Sequence, residues 1–368
     1  ISADITLWTY PIGKWGDAET VDTLVKKFKE EYPKINVNVE YLDYTNGDDQ
    51  VNIAIEGGLA PDLIMEGPER LVANWGAKGL MVDLSDLVDE TDKAEIYDSV
   101  LSACVNKDGA TYEYPLCMTA HCMAINKTVF EKADAMQYVD AENHTWTTEN
   151  FLKAMDAVYA STGNAVGAVY CSGQGGDQGT RALVNNLYSD YYVTEDGTSY
   201  NANSANNVKA LTLLQNMVNA GSLSANASYA AADELQAFAN QTCAVSFCWN
   251  FSNYSQYADQ TQFTPFAMAF PSDDGTPELE MAGPYGFGIF DNKDQAKIDA
   301  AKKFIDFVCN DATAGVEAVK TSSFFPVHSD WGDVYADAED ADLRAPFALM
   351  SNYLGRYYNL TGGWTEQR

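Results

Sequence analysis

Residues 60–71 read APDLIMEGPERL, a short apolar run followed by a charged loop. The apolar run at residues 63–65 predicts a buried strand that ends in this loop, after which a helix begins. Ligands of open α/β sheets bind at the carboxyl ends of the strands, so Glu66, Glu69 and Arg70 are placed to face a ligand. The same residues also fit an ordinary strand-to-helix connection with a solvent-facing ion pair.

The flanking sequence alternates strand and helix patterns. Residues 5–8 and 35–41 have the composition and alternation of strands, as do residues 63–65. A helix pattern begins after Asp17, a plausible N-cap, and a second one ends near Gly57. The order β-α-β-α-β predicts an α/β fold with a doubly wound sheet.

Length and charge narrow the class of protein. A chain of 368 residues suits two lobes better than one core. Its 53 acidic and 22 basic residues give a net charge of −31. This field repels nucleic-acid phosphates, so we expect no nucleic-acid partner.

The sequence contains no persuasive catalytic or metal-binding motif. The patterns Gly-x-Ser-x-Gly and His-Glu-x-x-His are absent, and there are three His residues. The acidic stretch at residues 43–49 lacks the spacing of a calcium-binding EF-hand loop. We therefore predict no catalytic residue, no cofactor and no metal. Pairs of carboxylates are so numerous in this chain that their count does not exclude a glycosidase, which needs one such pair.

The seven Cys residues include no Cys-x-x-Cys pair and cannot all pair with one another. Cys117 and Cys122, five apart in a predicted strand, point to opposite faces and cannot bridge within it; the same holds for Cys243 and Cys248. We predict mostly buried free thiols.

The segment 60–71 resembles the extracellular solute-binding proteins of ABC sugar importers, the family that includes maltose-binding proteins. The resemblance implies an α/β, two-lobe periplasmic-binding-protein-like fold, with two doubly wound sheets joined by a three-segment hinge and a ligand cleft between the lobes. Further weak motifs follow in the family's order at residues 5–8, 114–130, 146–151, 196–197, 210–214, 238–249 and 300–305.

The resemblance also implies where the chain crosses between lobes. Crossings are expected at residues 112–125, 281–289 and 324–327. Further helices would follow residue 368 in the family, so the second lobe is expected to lack its final helices. The implied N-terminal lobe comprises residues 1–117 and 285–324, and the C-terminal lobe comprises residues 118–284 and 325–368.

Site residues follow from the resemblance position by position. Glu69 and Arg70 match an acid–Arg pair that contacts sugar hydroxyls, whereas Glu66 replaces a stacking Trp. The loop from Tyr10 to Trp15 is expected to supply aromatic surface instead. In the second lobe, Trp249 is the expected platform under a sugar ring, with Phe251 as the alternative if the register shifts by two. The other expected ligand-binding residues are Thr119, which replaces an acidic residue, and His121, Asp177, Gln178, Arg181, Tyr285 and Trp364.

The resemblance implies a binding protein, not an enzyme. It would capture a carbohydrate, in particular an oligosaccharide, close by hinge motion and deliver the sugar to the membrane permease of an ABC transporter. We expect an extracytoplasmic monomer, either a cell-surface lipoprotein of a Gram-positive bacterium or a periplasmic protein. A binding protein for another small solute such as a polyamine, and a secreted glycoside hydrolase, are the alternatives.

Overall fold

The structure is a computed structural model, and it describes residues 1–172 and 177–355. The strands are β1 (Ala3–Thr9), β2 (Ile35–Tyr41), β3 (Leu63–Glu66), β4 (Tyr114–Ala120), β5 (Met123–Asn126), β6 (Gly167–Tyr170), β7 (Leu223–Asn226), β8 (Val245–Ser246), β9 (Pro265–Met268), β10 (Met281–Ile289) and β11 (Phe325–Pro326).

Helices cover much of the remaining chain, and among the described residues none combines the length and apolar content needed to cross a membrane. Two π-helical turns, Leu71–Gly76 and Asp177–Arg181, and several short 3₁₀ turns accompany them. The helices are α1 (Ala18–Glu31), α2 (Gly47–Glu56), α3 (Pro68–Arg70), α4 (Glu90–Glu95), α5 (Asp98–Ala103), α6 (Lys127–Lys132), α7 (Thr148–Thr162), α8 (Ala182–Leu187), α9 (Ala205–Ala220), α10 (Ala231–Ala239), α11 (Phe251–Gln256), α12 (Gln295–Asn310), α13 (Ala314–Ser322) and α14 (Ala341–Leu349).

The chain divides into two compact units. The first comprises Ile1–Met118 and Ala282–Asp337, and the second comprises Thr119–Met281 and the chain from Ala338 on. Phe325 pairs with Met118 inside the first unit, so the last change of unit follows Asp337 and not residue 324. The predicted hinge between lobes stays a prediction.

A six-stranded mixed sheet organises the first unit, in the order β11-β4-β10-β3-β1-β2. β1 runs parallel to both β2 and β3, and β10 runs antiparallel to β3. The predicted N-cap is confirmed, because the Asp17 carboxylate accepts a hydrogen bond from the Thr20 N–H at the start of α1. Parallel strands end at one edge, so the segments after β1, β2 and β3 emerge side by side.

The second unit is built on smaller sheets. Where the sequence analysis expects a second doubly wound sheet, the described strands form an antiparallel sheet β8-β5-β9 and a parallel pair β6-β7. Aromatic rings fill the space between these sheets and α7: Phe151 packs edge-on against Trp146 and Phe247. Such contacts stabilise the interior beyond the area that they bury.

Candidate functional site

Polar and aromatic side chains converge at the carboxyl ends of β1, β2 and β3. Tyr10 follows β1, and its N–H donates to the Met65 carbonyl at 3.3 Å. Tyr44 lies in the loop between β2 and α2, and Asp48 lies in the first turn of α2. Glu66 is the last residue of β3, and α3 then carries Glu69 and Arg70. We call Tyr10, Tyr44, Asp48, Glu66, Glu69 and Arg70 the strand-end cluster.

Arg70 is the centre of this cluster. Its Nε–H donates to Asp48 Oδ1 at 2.8 Å, and its Nη2 donates to Asp48 Oδ2 at 3.3 Å. Its Nη1 lies 3.5 Å from Glu66 Oε1 and 3.8 Å from Glu69 Oε1. The fork contact with Asp48 fixes the guanidinium plane, since both donors are used at once. One cation therefore faces three acidic side chains.

Two tyrosine rings cover the guanidinium. The Tyr10 and Tyr44 ring centroids are 5.2 Å apart, and Arg70 Cζ lies 4.9 Å and 5.5 Å from them. The Tyr10 hydroxyl donates to Asp48, and the Tyr44 hydroxyl donates to Glu66 Oε2 at 3.0 Å. Tyr10 is fully buried, whereas 51% of Tyr44 is exposed, so Tyr44 offers aromatic surface to a ligand.

Among the acids of the cluster, Glu66 has the pKa that departs most from its usual value. It is only 1% exposed, and this burial, reinforced by the negative charge of Glu69, raises its pKa to about 8. Arg70 and the Tyr44 hydroxyl favour the ionised form but do not offset the burial. Glu66 therefore holds a proton through much of the neutral range and can donate as well as accept hydrogen bonds.

A further buried acid, Glu113, lies just before β4. Neither of its carboxyl oxygens has a hydrogen-bond partner within residues 1–172 and 177–355. Burial raises its pKa well above the usual value, and the charges of Glu69 and Glu66 add to this effect. Tyr285 stacks on Phe324, with ring centroids 5.4 Å apart. Burial raises the pKa of the Tyr285 hydroxyl, and the negative charge of Glu66 raises it further.

Trp15 is corrected from a predicted contact residue to a core residue of the first unit. Its indole is fully buried, and Nε1 donates to the Ala318 carbonyl at 3.2 Å. The ring packs edge-on against Phe287, with centroids 5.5 Å apart. Of the predicted aromatic loop, only Tyr10 joins the strand-end cluster. Tyr44 supplies the exposed ring in its place.

Trp249 and Phe251 are packed residues of the second unit. Trp249 is 0% exposed and contacts Phe238 at 4.9 Å and Tyr257 at 6.1 Å between centroids. Its Nε1–H has no acceptor among the described residues. Phe251 is buried beneath the Arg344 guanidinium, 4.3 Å from the ring centroid. Neither ring presents an open face, which corrects the expected platform, because a strand end does not dictate which way a side chain points.

The remaining predicted residues that the structure describes belong to the second unit. Thr119 is buried in β4, and His121 donates its N–H to the Glu280 carbonyl at 2.8 Å. Gln178 and Arg181 are half-buried on the π-helical turn Asp177–Arg181. The side chain of Asp177 and the whole of Trp364 lie outside the described residues.

Sequence reasoning missed Tyr44, Asp48 and Glu113. Asp48 belongs to the acidic stretch 43–49, which lacks the spacing of an EF-hand loop and predicts no site on that ground. In the structure, Asp48 binds Arg70 and accepts from the Tyr10 hydroxyl. The available signal was its position just after β2, the parallel neighbour of β1. Glu113 precedes a strand and has no such signal.

Comparison with known proteins identifies the family of the chain. The family model described as bacterial extracellular solute-binding protein matches residues 14–314. The chain belongs to this family. The predicted resemblance is confirmed, and with it a solute-binding, extracellular class of protein. A search of curated proteins finds no match.

Solved structures share the fold over nearly the whole chain. The cyclic alpha-maltosyl-1,6-maltose binding protein of Arthrobacter globiformis has a TM-score of 0.77 at 18% identity, covering 97% of this chain and 89% of that one. The substrate-binding protein Lmo0181 of Listeria monocytogenes, solved with cycloalternan, has a TM-score of 0.70 at 21% identity, covering 100% and 90%. A family 1 protein of Alicyclobacillus acidocaldarius has a TM-score of 0.72 at 17% identity, covering 100% and 90%. At such identities the likeness confirms the predicted α/β, periplasmic-binding-protein-like fold and nothing about the ligand.

Proposed function

We propose that the protein binds an oligosaccharide outside the cytoplasm and delivers it to the membrane permease of an ABC transporter. The observation that carries this proposal is the strand-end cluster, in which fixed polar groups stand beside a half-exposed ring. Family membership supports the class, and neighbours described as binding cycloalternan and cyclic maltosyl-maltose support the ligand type.

The chemistry of the cluster suits a sugar. The apolar C–H face of a pyranose stacks on an aromatic ring, and Tyr44 has the exposed surface for this contact. Sugar hydroxyls need fixed acceptors and donors around that ring. Asp48, Glu69 and Arg70 supply charged partners, and protonated Glu66 supplies a neutral one.

Delivery requires that the permease distinguishes loaded from empty protein. A ligand that contacts both lobes stabilises a closed form by its differential affinity for that form. We propose this hinge mechanism for a monomer held outside the cytoplasm, as a lipoprotein or in a periplasm. The family's extracellular character supports the location.

The polyamine alternative is not favoured. The acidic groups of the cluster would attract a polyamine, but Arg70 already occupies its centre and would repel a second cation. A glycoside hydrolase is likewise not favoured, since the family is one of binding proteins.

The test is a thermal-shift screen against linear and cyclic oligosaccharides, with spermidine as the competing class. A ligand that binds only the folded protein raises Tm by mass action. We expect a cyclic or linear glucan to raise Tm and to be recovered chemically unchanged after overnight incubation. Hydrolysed sugar would favour the hydrolase, and a shift by spermidine alone would overturn the proposal.

A further inference from the structure

A second polar cluster of the first unit consists of Glu95, His328 and Asp330. Glu95 is the last residue of α4, and the other two follow β11. Backbone contacts hold the two segments together: Ile96 forms a β-bridge with His328, and the Ser329 N–H donates to the Glu95 carbonyl at 2.7 Å. Backbone pairing between the two segments therefore fixes the positions of these three residues.

His328 is placed as a ligand donor. It is 4% exposed, and its Nε2 lies 3.3 Å from the Cys309 carbonyl oxygen. A carbonyl only accepts, so Nε2 carries the hydrogen and a neutral ring leaves a lone pair on Nδ1. Nδ1 is buried without a hydrogen-bond partner in the described part of the chain, and Glu95 Oε2 lies 3.8 Å away. Trp331 stacks on the imidazole at 4.3 Å and fixes its plane.

The three side chains have the spacing of a metal site. One donor atom from each lies within 4.8 Å of the others. An ion bound about 2.0–2.2 Å from an imidazole nitrogen and a carboxylate oxygen fits between atoms 3.8 Å apart. The Nε2–H···O=C contact is the partner that a metal-bound histidine normally makes with its other nitrogen.

We propose that Glu95, His328 and Asp330 bind one first-row divalent cation of the Zn²⁺ type, with water completing the coordination. One imidazole and two carboxylates suit Zn²⁺, Co²⁺ or Ni²⁺ better than Mg²⁺, which prefers oxygen ligands. A bound ion satisfies the orphaned Nδ1 and neutralises two neighbouring carboxylates. It also fastens the segment after β11 to α4, and so stabilises the first unit. The proposal departs from the sequence prediction of no metal, and it shares no residue with the strand-end cluster.

The experiment uses the full chain carrying Cys171→Ser, because Cys171 is an exposed thiol that could bind Zn²⁺ by itself. Excess Mg²⁺ occupies the oxygen-only sites of this acidic protein. Zn²⁺ is titrated by calorimetry, and Co²⁺ is titrated while tryptophan fluorescence is recorded. Because Trp331 contacts the imidazole, Co²⁺ is expected to quench its emission, and Zn²⁺ to reverse the quenching.

Variants assign the site. Asp330→Asn changes an exposed side chain and is expected to fold normally yet weaken Zn²⁺ binding at least tenfold; His328→Asn is expected to abolish it. The control Asp337→Asn removes an exposed carboxylate outside the cluster and is expected to bind like the parent. Trp331→Phe keeps the stacking and loses the quenching. One Zn²⁺ per chain with this pattern supports the site, whereas no Zn²⁺ binding, or equal binding by Asp330→Asn and the parent, would overturn it.

Discussion

Glu66→Gln tests the electrostatics of the strand-end cluster directly. Glutamine has the shape of protonated Glu66 and keeps an oxygen to accept from the Tyr44 hydroxyl. It cannot ionise, so it removes one proton equilibrium and little else. We expect a protein that folds and loses part of its pH dependence.

The size of this pH dependence of stability follows from the pKa of Glu66. Burial raises the pKa of Glu66 from 4.5 to about 8, so the folded protein binds a proton that the unfolded chain has released. The contribution of Glu66 to the unfolding free energy is therefore highest below pH 4.5 and falls as pH rises towards 8. One proton taken up on folding changes the unfolding free energy by about 1.4 kcal/mol per pH unit, so Glu66 lowers stability by an amount on the order of a few kcal/mol over this window.

Urea melts between pH 5.5 and 7.5 measure this slope. We expect the fall in unfolding free energy to be shallower by about 1.4 kcal/mol per pH unit in Glu66→Gln than in the parent. Glu234→Gln is the matched control in the second unit, because Glu234 is also buried with a pKa of about 8 and accepts from Ser246 and Phe247. It is expected to flatten the stability slope without changing the pH dependence of sugar binding. Equal slopes for Glu66→Gln and the parent would refute the assignment of a proton to Glu66.

Four further outcomes follow from the site and the packing. Arg70→Ala is expected to weaken sugar binding ten- to a hundredfold by calorimetry, since a charged hydrogen bond is worth about 1.5–3 kcal/mol, while Lys26→Ala, which removes an exposed pair, leaves it unchanged. Tyr44→Ala is expected to weaken binding by about 1–3 kcal/mol, and Tyr41→Ala, 38% exposed at the end of β2, to have no effect; equal affinities would contradict the stacking role. Trp249→Ala is expected to lower the unfolding free energy by about 3–5 kcal/mol in urea melts, and a stable variant that loses only sugar binding would return this ring to the site. Scattering at small angles is expected to show a smaller radius of gyration with sugar, whereas contraction by calcium alone would contradict ligand-driven closure.

The sequence predicts the first unit well because its signals are local. The run at residues 63–65 appears as β3, and Asp17 caps α1 as expected. These features depend on apolar period and on one capping side chain, which neighbours in sequence determine. The small sheets of the second unit are less predictable, because two-residue strands such as β8 depend on long-range pairing with β5.

The same distinction separates the site residues. Glu66, Glu69 and Arg70 belong to one strand-helix connection, so a single motif finds them all. Tyr44 and Asp48 reach Arg70 only because β2 and β3 both run parallel to β1, which no local pattern states. Trp15 and Trp249 also follow strands, but their rings turn inward, since position in a loop does not fix the direction of a side chain.

The strand-end cluster places Asp48, Glu66 and Glu69 around one cation, with Glu113 buried nearby. Burial of acids opposes folding, and an apolar residue in place of Glu66 or Glu113 would avoid this penalty. Residues that lower the stability of a fold are concentrated at functional sites, because a ligand needs the same groups. Here the acids are held in place before any ligand arrives. Folding has already removed water from these acceptors, so a sugar hydroxyl that binds them does not have to displace it. The groups that weaken the first unit at high pH are thus the ones expected to bind the ligand, and for this reason the pH dependence of stability and of affinity should change together in Glu66→Gln.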